Sequence, residues 1–138
     1  AEEAGIAVPQ LYGVVQIERQ IRDLPALLRP HLDFVIKPAA GSGGDGIVVV
    51  TGRSKKLYRK ANGQLIDAAH LSHHVSNVLS GMFSLGGHPD KALIEYRVRF
   101  DPVFEAISYQ GVPDVRIIVF RGIPVMSINL LLIYIPYY

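Results

Sequence analysis

The chain has 138 residues, 49% of them apolar and 19% charged; this suits one compact domain with a real core and excludes a disordered polymer. Its net charge is +2, with no dense Lys/Arg stripe interleaved with aromatics, so nucleic acid is not an expected partner. Cysteine is absent, which excludes disulfide frameworks and thiolate metal sites and suits a cytoplasmic protein.

Ala1, Glu2 and Glu3 carry the wrong charge for a secretory signal, and the first residues read as the end of a helix whose start is missing. Gly5 terminates that helix and Pro9 forbids its continuation. Leu11 to Val15 is apolar and extended. Residues 18–29 show approximate helical spacing, with Pro25 as an interruption. Phe34 to Lys37 is a β-branched strand ended by Pro38. Ile47 to Thr51 is a second strand, and Asn62-Gly63 turns a hairpin between Leu57–Arg59 and Gln64–Ile66. Asp67 caps a helix running to about Met82 with Leu71, Val75, Val78 and Leu79 on one face. Gly86-Gly87 and Pro89 mark a loop. Strands follow at Ala92–Val98, Asp114–Phe120 and Ile123–Met126, the last two joined by Arg121-Gly122. Helices mixed with β-loop-β pairs point to an α+β fold, not a doubly wound parallel sheet.

Between the strands at 34–37 and 47–51 lies Gly41-Ser42-Gly43-Gly44-Asp45-Gly46, four glycines in six residues. Such a loop lets backbone N–H groups converge on an anion, because no Cβ blocks close approach; a flexible hairpin loop has the same composition. A dinucleotide fingerprint must open a helix, and this loop opens into Ile47-Val48-Val49-Val50. A P-loop ends in G-K-[ST], and Gly46 precedes Ile47. A protein kinase requires H-R-D and D-F-G downstream, and neither triplet occurs. What remains is Lys37 on the strand before the loop, a point charge on a rigid element beside an anion-binding turn.

That run, Val35-Ile36-Lys37-Pro38-Ala39-Ala40 followed by the glycine loop, resembles the ATP-grasp family. The resemblance implies that Lys37 reaches the nucleotide phosphates while Gly41, Ser42, Gly43, Gly44 and Gly46 close over them as a lid, with Ser42 donating to a phosphate and Asp45 turned away. Ala1 to Pro9 is similar to the passage preceding that lid. Leu93-Ile94-Glu95-Tyr96-Arg97-Val98 resembles the strand that grips adenine, so Glu95, Tyr96 and Val98 are implied at the base and ribose. Ile107 to Pro113 and the following Asp114-Val115-Arg116 resemble the D-x-R strand of the alpha-L-glutamate ligase-like branch. There Asp114 holds the ribose hydroxyls and Arg116, the implied catalytic residue, contacts the acyl substrate or phosphate. Period two puts Asp114 and Arg116 on one face and Val115, Ile117 and Val119 on the other.

The likeness runs from residue 1 to about 126 and implies an incomplete ATP-grasp fold. Its parts are a lid subdomain at 1–94, the hinge and start of a second subdomain at 95–126, and an atypical apolar tail at 127–138. It also implies an ATP-dependent carboxylate–amine ligase working through an acyl phosphate, with ATP, a carboxylate such as glutamate, and a peptide or small amine as partners. The family's Mg2+ ligands lie beyond the D-x-R strand and are not found here, nor is the upstream helix with its second lysine. Weak nucleotide binding and no ligation are therefore expected of this chain. The alternatives are a non-catalytic nucleotide-binding module and a structural or oligomerising one. No membrane role is expected, since the tail is too short to span and contains Pro136. His70, His73 and His74 share helical spacing that suits a metal or, more simply, a solvated face. Arg53, Lys55, Lys56, Arg59 and Lys60 read as a basic, solvated sheet edge.

Overall fold

A computed structural model describes Gly5, residues 7–99 and residues 113–131. The helix expected at residues 1–5, the stretch 107–112 and the end of the apolar tail lie outside these, apart from Gly5 with its positive φ of 67°. The chain divides into two compact units, Ala1–Val98 and Arg99–Tyr138.

In the first unit the elements run β1 (Leu11–Val15), a 3-10 segment (Glu18–Asp23), α1 (Leu24–Leu28), β2 (Phe34–Pro38), β3 (Val48–Ser54), β4 (Leu57–Lys60), β5 (Leu65–Ile66), α2 (Ala68–Leu79) and β6 (Ala92–Glu95). The sheet order is β1-β6-β2-β3-β4-β5, and every pair is antiparallel. Alternation does the sorting. Phe34, Ile36 and Pro38 of β2 and Ala92 and Ile94 of β6 are buried, while Val35, Lys37, Leu93 and Glu95 are half-buried on the other face. The buried set packs with Leu24, Leu28, Leu71, Val75, Val78 and Leu79 into one core, each full burial of a large apolar side chain stabilising by roughly 1.5–3 kcal/mol. The opposite face of the central strands is left for other work.

Asp67 is the N-cap of α2, accepting from the His70 N–H at 2.9 Å. That bond, with the His70 ring alongside, holds the Asp67 carboxyl below its ordinary value. The helix stops at Leu79, not Met82. Gly81 turns the chain at φ 86°, so tightly that a Cβ there would lie 2.3 Å from the His88 carbonyl oxygen. Pro25 does not interrupt a helix but stands in the first turn of α1, where its missing N–H costs nothing. The Asn62-Gly63 hairpin forms as expected, with Gly63 at φ 85° and Asn62 Oδ1 accepting from Gln64 N. Strand β6 is shorter than its apolar pattern: after Tyr96 N donates to Gln10 O at 2.8 Å, the next residue on that edge is Pro9, which has no N–H to offer. The basic run is not uniformly solvated either. Arg53 turns inward, its guanidinium 4.6 Å from the Tyr58 ring centroid and bonded to the Leu28 carbonyl.

The second unit contains the hairpin β7 (Pro113–Phe120) and β8 (Ile123–Leu131). Arg121 at φ 49° and Gly122 at φ 82° supply the two positive values that a two-residue hairpin turn needs. Strand β8 continues five residues beyond Met126, in register to Pro113↔Leu131, so the tail begins as a paired strand. The register slips between Ile118 and Val119, where Pro124 stands opposite Val119 and has no donor for the ladder.

Candidate functional site

The connection from β2 to β3 forms one wall of an open cleft of about 270 Å³. Lys37, Gly41, Ser42, Gly43 and Gly44 border it together, with Leu93 from β6 as the apolar floor. Asp45 is also among the residues that line the cleft, and its N–H closes a tight turn onto Ser42 O at 3.1 Å. Lys37 is placed by strand alternation. It pairs with Leu93 across the β2–β6 ladder, and its Nζ lies 2.7 Å from Glu95 Oε2 on the same face. The cation of the cleft is thus held by a carboxylate from the neighbouring strand.

Gly41 and Gly46 have steric reasons to be glycine. A Cβ at Gly41 would lie 2.4 Å from Pro38 Cγ, and one at Gly46, whose φ is 75°, would lie 2.5 Å from Phe83 Cγ. Tyr96 and Val98 follow the end of β6 and are exposed. Asp114 and Arg116 belong to the second unit, on β7, where they pair with Leu130 and Ile128.

The sequence pattern did not single out the supports behind the loop. Asp90 Oδ2 accepts from the Ala40 N–H at 2.9 Å, and Gly41 bridges to Ser84. His74, expected on a solvated helix face, is half-buried and reaches the Gly46 carbonyl through Nε2 at 2.9 Å. A carbonyl only accepts, so Nε2 carries the proton. Burial pushes the His74 pKa below its ordinary 6.5; the Gly46 bond pulls it up, and Lys60 and His73 push it down. The folded state therefore resists protonating this ring. Stability held by neutral His74 is full above pH 6.5 and is lost as pH falls from there through the lower folded value. The melting midpoint is expected to drop as pH falls below 6.5 toward the lower folded value, and His74→Gln to flatten that part of the profile. An identical slope in the variant would assign the effect elsewhere. The Asp67 cap acts in a separate window, being lost below its ordinary 3.8.

A family model described as sugar-transfer associated ATP-grasp matches residues 1–133. No curated protein and no solved structure matches the chain.

Proposed function

Since the chain belongs to the sugar-transfer associated ATP-grasp family, and so to ATP-binding, ligase-like proteins, we propose that it is the nucleotide-binding part of an ATP-dependent carboxylate–amine ligase of the glutamate-ligase-like kind. One observation carries the ATP reading: a lysine on a rigid central strand opens onto a cleft walled by a glycine loop. Backbone N–H groups of such a loop and one fixed cation suit a polyphosphate, and the half-buried Leu93 beside them suits a flat base.

In this reading Lys37 and the loop hold the phosphates, and Ser42 donates its hydroxyl to one of them. The backbone of Glu95, Tyr96 and Val98 borders adenine, Asp114 takes the ribose, and Arg116 contacts the acyl substrate or phosphate. The reaction has two displacements. A carboxylate oxygen attacks the γ-phosphorus and ADP leaves, giving an acyl phosphate. An amine nitrogen then attacks the acyl carbon, phosphate leaves, and the nitrogen gives up a proton. ATP supply places this activity in the cytoplasm; no helix among the described residues is long and apolar enough to cross a membrane.

Magnesium, which this chemistry typically uses, neutralises charge on the transferring group when bound. The described residues do not fit it. No three His, Cys, Asp or Glu side chains among them converge; Glu95 is committed to Lys37, and Asp45 is the one acidic residue among the described residues that line the cleft. The roles of this chain are binding and orientation. Calorimetric titration with ATP is expected to show weak, saturable binding, and ADP release is not expected when a carboxylate and a panel of amino acids, peptides and amino sugars are added. Silence at millimolar ATP would sink the reading.

A second reading, a structural or oligomerising module, is favoured by the β7–β8 hairpin, whose Ile117, Phe120, Ile123 and Val125 are each more than half exposed. Concentration-dependent association in sedimentation, together with no ATP binding, would favour it.

A further inference from the structure

We infer that His74 is a positioning residue for the glycine loop, fixing its trailing arm from the core so that the tip alone closes over bound phosphates. The inference rests on the ATP-binding reading above. Its basis is an asymmetry in how the loop is held. The leading arm is pinned by backbone and carboxylate bonds: Ala39 N donates to Lys91 O at 2.9 Å, and Ala40 N donates to Asp90 Oδ2 at 2.9 Å. The trailing arm is pinned at Gly46 by one side chain from a different element. His74 comes from α2, whose Leu71, Val75 and Val78 are fully buried, so the donor sits on one of the most rigidly packed parts of the unit.

Phe83 completes the anchor. Its ring fills the space where a Gly46 side chain would be, and it packs 5.3 Å from the His74 ring at a tilt of 33°. Past Gly41, which bridges to Ser84, the hydrogen bonds of the tip among the described residues are internal, Asp45 N to Ser42 O at 3.1 Å and Ile47 N to Gly44 O at 3.3 Å. Among the described residues, no heavy atom beyond the chain neighbours lies within 4 Å of where side chains at Gly43 and Gly44 would begin. A tip with open space around it, set between two fixed arms, moves about its ends; where those ends lie decides whether its N–H groups meet the anion beside Lys37. His74 fixes one of them without touching the ligand.

The test compares the chain with His74→Gln, which keeps an N–H donor at nearly the same reach and cannot titrate, and with His74→Leu, which keeps bulk without a donor. Two readouts are taken at pH 8: amide exchange protection over residues 42–47, and ATP affinity by calorimetry. In the Leu variant, loop protection is expected to fall about fivefold while α2 and β2 keep theirs. ATP should bind it about 3- to 10-fold more weakly, the worth of one neutral hydrogen bond. The Gln variant is expected to restore both. Should the Leu variant fail to fold, His74→Asn, whose amide is too short to reach Gly46, replaces it with the same expectation. Unchanged loop protection and affinity in the donor-less variant would overturn the inference, and so would an equal loss in the Gln variant. If the unaltered chain binds no ATP, the nucleotide reading fails and the lid role with it. If the chain binds ATP and loses it on Lys37→Ala, yet is indifferent to His74→Leu, the positioning role alone fails.

Discussion

Replacement of Lys37 by alanine is expected to weaken ATP binding by about 10- to 100-fold, the range for a hydrogen bond to a charged group. Two effects add. The variant removes the fixed cation of the cleft, and it leaves Glu95, which Lys37 holds at 2.7 Å, as an unpaired carboxylate on the face proposed to receive a polyanion. The second effect separates this reading from a merely structural lysine. Lys37→Met combined with Glu95→Gln should recover part of the lost affinity, because the repelling charge goes with its partner. Glu95→Gln alone should leave affinity unchanged or raise it. Calorimetry at fixed ionic strength reads all three, and equal affinity of Lys37→Ala and the unaltered chain would remove Lys37 from the site.

Phe34→Ala is expected to cost about 3–5 kcal/mol of stability, a large share of the roughly 5–15 kcal/mol that holds a domain together. Phe34 is fully buried, pairs with Val50 across β2–β3, and meets the Tyr58 ring edge-on at 5.8 Å and 77°. Its deletion leaves a void between β2 and β4 that neighbouring strands cannot collapse into without breaking register. The same strand carries Lys37 three residues on, so ATP binding should fail at the temperature where the variant melts and not below it. Denaturant titration measures the cost; a loss under about 1 kcal/mol would mean that the core repacks.

Local chemistry made several elements readable in advance. Asp67 before an apolar stripe of period 3.6 marks a capped helix, and Leu71, Val75, Val78 and Leu79 are its buried residues. Asn62-Gly63 and Arg121-Gly122 mark hairpins because each pair supplies a glycine at positive φ, Gly63 at 85° and Gly122 at 82°. The loop at 41–46 was legible because four glycines between two strands, with a lysine before them, suit few purposes. Errors arose where a distant residue decides an end. Strand β6 ends at Glu95, where its edge is met by Leu11 and Gln10, far off in sequence, and α2 stops at Leu79 ahead of Gly81, which turns close against the His88 carbonyl. Strand β8 runs on past Met126 because β7 is there to pair with it.

The order of strands and helices, the faces they bury, and the placing of Lys37 beside a glycine-rich loop were set by the sequence alone, since period, capping and glycine content act over a few residues. What holds that loop was decided only by the tertiary structure. Asp90, Ser84, Phe83 and His74 lie 50, 43, 37 and 28 residues along the chain from Ala40, Gly41, Gly46 and Gly46, and nothing in a local pattern distinguishes them from a solvated histidine or a loop aspartate. Their roles exist because sheet order folds α2 and the segment before β6 back beneath the β2–β3 connection. A hydrogen bond between distant residues is a property of that packing, not of either residue's neighbours.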